Sequence, residues 1–218
     1  MLNDSVTISH YWKIVNKRLF SAQFLWLNLM NCTNYQQFNV LNHKAIHKIF
    51  SWPLDTSLQE LESTKFARVL ICLPFEHAHF YSALKVFLPF IRQKPELVRL
   101  LVPQAFFTLI QEINPDLLIP LISSRINKEG FPTDPEVLAL ARINLEFAID
   151  LNVVPTVPTA FIVSRCRAPI KVGFQSELAE KLFNLIINYK TDRLVEKSYN
   201  LIWDLLHPQI QKVNKNLT

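Results

Sequence analysis

Apolar positions along this chain gather in short dense runs, and prolines mark most of the breaks between them. The firmest run, Ala67-Arg68-Val69-Leu70-Ile71-Cys72-Leu73, is almost continuously apolar and predicts a central strand covered on both faces. Pro74 ends it, because proline has no N–H for a ladder. From His77 the spacing turns helical: Phe80, Leu84, Phe87, Leu88 and Ile91 keep near the 3.6-residue period, and Pro89 predicts a kink or an early end. Three further helix starts follow. Pro95-Glu96 precedes an apolar face of Leu97, Leu100, Leu101, Phe106, Leu109 and Ile110, interrupted at Pro103. Asn114-Pro115-Asp116 has an N-cap, a first-position proline and a first-turn acid, and Asp134-Pro135-Glu136 repeats that signal before Val137, Leu138, Ala141, Leu145 and Ala148.

Beyond the helical block, Val154-Pro155-Thr156-Val157-Pro158-Thr159 leads into Ala160-Phe161-Ile162-Val163, which reads as a second strand, and Ile170-Lys171-Val172 as a third. Ser176 can cap a helix carrying Leu178, Leu182, Leu185, Ile186 and Tyr189. Asp192 can begin another, with Leu194, Leu201, Ile202, Leu205 and Leu206 inward and Pro208 near its end. Residues 1–65 give mixed signals, with an amphipathic stretch from Tyr35 to Phe50 and a helical turn at 57–62. The organisation expected is an N-terminal, partly helical extension over 1–65, an α/β domain over 66–190 with a helical insertion at about 95–150, and a C-terminal helix over 191–218.

Composition narrows this picture. With 218 residues, half of them hydrophobic, the chain can bury a full core. Two glycines against 13 prolines leave few turns with positive φ, which favours helices over β-rich architecture. A net charge of +5, spread thinly and without nucleic-acid motifs, reads as a solvated surface, so no nucleic-acid partner is expected. Cys32, Cys72 and Cys166 lie far apart and form no Cys-x-x-Cys, and their odd count argues against a disulfide framework. The stretch Leu19 to Met30 contains Gln and Asn and falls short of the roughly 20 apolar residues of a membrane span, so no span is expected. The compartment stays open, with the cytoplasm slightly ahead of an exported setting.

The order strand, helix, helical block, proline-opened strand, short apolar run and capped helix resembles the DsbA-like family of thioredoxin folds, which includes the kappa-class glutathione transferases and isomerases. The resemblance covers about residues 66–190. It implies a thioredoxin-like fold with a helical insertion between its halves, Val69 to Phe75 as the first central strand with its aromatic, and Pro158 as a cis-proline beside the redox dipeptide. Val153 stands where the family carries glycine. The redox positions fall on Glu76-His77-Ala78-His79, so both cysteines are missing and thiol–disulfide exchange lacks its attacking and resolving thiols.

On that resemblance the chain is a binding module with a degenerate redox site. A groove formed by Glu76, His77, His79 and Tyr81 on one side and Val157, Pro158 and Thr159 on the other would hold an extended protein or peptide partner. No catalytic residue, metal or cofactor is assigned. The rival reading is an atypical thiol–disulfide oxidoreductase or glutathione-dependent transferase or isomerase, using His77 or His79 in the old redox position or a redox role for Cys72 or Cys166. His43-x-x-x-His47 offers two imidazoles on one helical face, without a third ligand at characteristic spacing. Neither a Gly-rich phosphate loop nor Gly-x-Ser-x-Gly is present.

Overall fold

The computed structural model describes residues 41–52, 67–189 and 194–215, all within the compact unit Phe38–Thr218. The elements are α1 (His43–Ser51), β1 (Val69–Cys72), α2 (His77–Gln93), β2 (Val98–Pro103), β3 (Leu118–Leu121), α3 (Pro135–Leu140), β4 (Phe147–Asp150), α4 (Val157–Arg165), β5 (Ile170–Phe174), β6 (Leu185–Ile187) and α5 (Val195–Lys215), with single 3-10 turns in several connections. The expected turn at 57–62 and everything before residue 41 lie outside the described residues.

All six strands form one parallel sheet in the order β3-β2-β1-β4-β5-β6. This is an α/β architecture in which the chain first walks outward from β1 through β2 to β3, then returns to the other side of β1 and walks outward again. β1, β2 and β4 are buried along their whole length, as strands covered on both faces must be. Pro120 is accommodated because β3 lies at the sheet edge, where a missing N–H leaves no neighbour unpaired. α5 packs on α2, whereas α4 packs on β4, α3 and α1. Right-handed crossovers place these two groups of helices on opposite faces of the sheet.

This topology corrects the thioredoxin-like, DsbA-related expectation. That fold needs an antiparallel hairpin in its second half, and here the Ile170 run is β5, parallel to β4. The Val157-Pro158-Thr159 step opens a helix rather than a strand: Pro158 sits in the first turn of α4, where its missing N–H would have no intrahelical partner anyway. No described peptide bond is cis, so Pro158 is trans. The residues read as a helical insertion contain β2, β3 and β4, and β1 neighbours β2 and β4 instead of Ala160–Val163.

Burial explains each of these differences. Every residue from Val157 to Val163 is buried, so the run shows neither a helical nor a strand period, and a first-turn proline suits the helix. The apolar face from Leu97 to Ile110 is likewise a fully buried strand followed by a 3-10 turn. The helix at Ser176 shrinks to one turn, Ala179–Lys181, and Leu185 enters β6. α2 continues past Pro89 to Gln93. In α5 the inward face is Tyr199, Ile202, Leu206 and Ile210, leaving Leu201 and Leu205, and Leu194 just before the helix, exposed.

Candidate functional site

β1 and β4 are adjacent, and their last residues, Cys72 and Asp150, lie opposite one another. The connections leaving these two strands start helices of different layers, so the strand order reverses between them. In open parallel sheets this reversal point is where ligands bind.

The two connections are tied together at that point. Asp150 Oδ1 accepts from the Asn152 backbone N–H at 3.0 Å and from its side-chain amide at 2.7 Å. Asn152 Oδ1 in turn accepts from Phe75 N–H at 3.0 Å, joining the segment after β4 to the one after β1. Tyr199 of α5 reaches the same segment, its hydroxyl donating to Leu151 O at 2.9 Å. Asp150 is 1% exposed, and its second oxygen, Oδ2, completes no hydrogen bond. Burial raises the Asp150 pKa above the ordinary carboxylate value. Hydrogen bonds from Asn152 and Thr159 hold it down in part; the Thr159 hydroxyl also shares a 3.0 Å hydrogen bond with Thr156 Oγ1, in which either hydroxyl can donate.

Above this network α2 begins. Glu76 occupies its N-cap position without capping it through the side chain, and the carboxylate instead meets His79 Nδ1 at 3.0 Å. Glu76 is exposed and His79 largely covered, so the carboxylate fixes one ring nitrogen and leaves Nε2 to exchange hydrogen bonds. His77 turns toward the Tyr81 and Phe106 rings at 4.7 and 5.8 Å, and burial lowers its pKa, favouring neutral imidazole. The His79 ring lies 6.4 Å from that of Tyr189. Burial raises the Tyr81 pKa, keeping that phenol protonated.

The residues expected to form a groove therefore divide. Glu76, His77, His79 and Tyr81 share the first turns of α2. Val157, Pro158 and Thr159 are buried in α4 and present no surface for a peptide; of the three, Thr159 reaches the site, through Asp150. The redox reading also fails on the thiols: Cys72 and Cys166 are buried, burial pushes Cys72 well up, and Cys166 is pushed up to about 11, so neither supplies a thiolate. His43 and His47 border an open groove of about 740 Å³ with Ile46, Phe50, Ser51 and Lys181, where His43 pairs with Glu177 at 3.0 Å. Among the described residues no three His, Cys, Asp or Glu side chains come together as a metal site.

Sequence reasoning missed Asp150 and Asn152. The available signal was an acid closing an otherwise apolar run, Phe147-Ala148-Ile149-Asp150, with asparagine two residues on.

No family model matches the chain, and no curated protein matches it. Among solved structures it is similar to the crystal structure of a glycosyl transferase family 9 protein from Veillonella parvula DSM 2008, with TM-score 0.42 and 16% identity over 69% of this chain and 43% of that one. The chain thus spans under half the length of that protein. The all-parallel sheet overturns the DsbA-like redox-module and chaperone-like reading. Among the described residues no helix is long and apolar enough to cross a membrane.

Proposed function

We propose that this chain binds a small, polar, uncharged ligand in the crevice between the carboxyl ends of β1 and β4. The observation that carries this reading is the Phe75–Asn152–Asp150 network, which fixes both connections at the one place where the strand order reverses. The chemistry of the rim selects the ligand class. Glu76 already places a carboxylate at the start of α2, where the helix dipole would otherwise favour an anion, and buried Asp150 adds a second acid below. What remains on offer is a carboxylate acceptor, the His79 imidazole held by Glu76, and aromatic rings from Tyr81 and Tyr189. That set suits hydroxyl or amide groups carried on a compact ligand. With only Gly130 and Gly173 in the chain, no glycine-rich turn brings backbone close to a pyrophosphate here.

The test is amide chemical-shift mapping on the full chain, titrated separately with a hexose, a nucleoside and an amino-acid amide. At least one probe is expected to move the signals of residues 75–80 and 152–156, with His79→Ala weakening that probe at least fivefold while the melting temperature stays within a few degrees. Shifts confined to other segments, or none with any probe, would overturn the assignment.

A further inference from the structure

The amino edge of the sheet, opposite the crevice, gathers arginines. Six of the nine arginines, Arg68, Arg92, Arg99, Arg142, Arg165 and Arg167, lie in or beside the segments that feed strands or end helices there, together with the acids Glu96, Asp116 and Glu146. Of these, Arg92 pairs with Glu112, and Arg165 donates to the carbonyls of Phe50 and Trp52.

Arg68 and Arg99 differ. Arg68 N–H bonds to Leu97 O at 2.8 Å, and Arg99 lies opposite Leu70 in the β1–β2 register. Arg68 immediately precedes β1, and continuing the alternation of the strand by one residue puts Arg68 on the face of Leu70 and Arg99, with the two arginines diagonal to each other. Arg99 is 8% exposed; a terminal nitrogen donates to Val98 O at 2.7 Å, and its Nε is buried without a hydrogen-bond partner. Arg68 Nε is buried without a partner as well. Two acids stand in the neighbourhood. Asp116 acts on Arg99 through space, and Glu146 adjoins Arg68 through its backbone N–H, but among the described residues neither forms an ion pair with either arginine.

A buried guanidinium Nε–H without a hydrogen-bond partner is costly, and the planar fork matches the oxygens of phosphate or sulfate better than a lone amine would. Diagonal placement on one face lets two forks meet one tetrahedral group. We propose that Arg68 and Arg99 form a binding site for a tetrahedral oxyanion, a phosphate group, at the amino edge of the sheet. The site is separate from the carboxyl-edge crevice and would act on the protein from a distance, as an effector or stabilising ligand.

The experiment measures melting temperature and titration calorimetry of the full chain with inorganic phosphate, sulfate and glycerol phosphate, against chloride at matched ionic strength. Saturable stabilisation is expected, falling at least tenfold in affinity in Arg99→Met and in Arg68→Met, which keep the aliphatic stem. Arg99→Lys, which keeps the charge and loses the fork, should recover only part of it. Arg92→Met and His79→Ala should bind as the wild type does, the latter separating this site from the crevice. Tighter binding of glycerol phosphate than of inorganic phosphate would assign the site to a phosphorylated metabolite, and the reverse to the free ion. Equal stabilisation of all variants, or none beyond that given by chloride, would overturn the proposal and mark the effect as general salt action.

Discussion

Asp150 is the residue on which the carboxyl-edge site turns, because one of its oxygens organises two chain segments and the other has no partner. Its pKa is raised from the ordinary value of 3.8 by burial, so the folded state holds this proton more tightly than the unfolded chain does. The stability it contributes is therefore fully present below about pH 4 and is lost as pH rises through the folded pKa. Asp150→Asn keeps an oxygen for the Asn152 donors and cannot ionise. Urea-denaturation midpoints measured from pH 4 to 8 should decline for the wild type relative to the variant, by about 1.4 kcal/mol for each unit by which the pKa is raised. Parallel curves would show that Asp150 ionises in the folded protein as freely as in the unfolded one.

At the scale of elements, the β5–β6 crossover rests on a close approach that only glycine permits. A Cβ at Gly173 would lie 2.3–2.5 Å from three atoms of the Phe183 ring, which is itself buried and has little room to swing away. Gly173→Ala should therefore destabilise the fold by about 1–3 kcal/mol through overpacking. In a Phe183→Leu background the same substitution should cost clearly less, since the clashing ring is gone; a double-mutant cycle by chemical denaturation reads the difference. Additive costs would place the strain somewhere other than this contact. α5 shows the complementary case: its inward face is set by Tyr199, Ile202, Leu206 and Ile210, and Leu201 and Leu205, which looked equally apolar in the sequence, point to solvent.

At the scale of the whole molecule, the core holds groups that resist ionisation together. Cys72 is raised well above 9.0, Cys166 is pushed from 9.0 up to about 11, and burial raises Tyr199 as well, with the Asp150 charge adding to the shifts on Cys72 and Tyr199. In the unfolded chain these thiols ionise near pH 9, so their contribution is intact below that value and is lost as pH rises through the folded pKa. Denaturation midpoints should fall steadily from pH 9 toward 11, and Cys166→Ala should flatten that fall. An unchanged slope in the variant would mean that the thiol reaches solvent in the folded state.

The sequence by itself determined the α/β class, the first strand at Val69–Cys72 and the helix that starts at His77, because a continuous apolar run stopped by proline and a 3.6-residue period have few other solutions. It also placed Glu76, His77 and His79 together at the head of that helix. Whether Val157–Val163 and Val98–Pro103 were helix or strand was decided only by tertiary structure. Both are buried on every side, and a segment with no solvent-facing positions carries no period to read. Strand order and direction likewise come from long-range packing, which no local pattern encodes. That order brings Asp150 and Asn152 beside Phe75, residues 75 or more positions away.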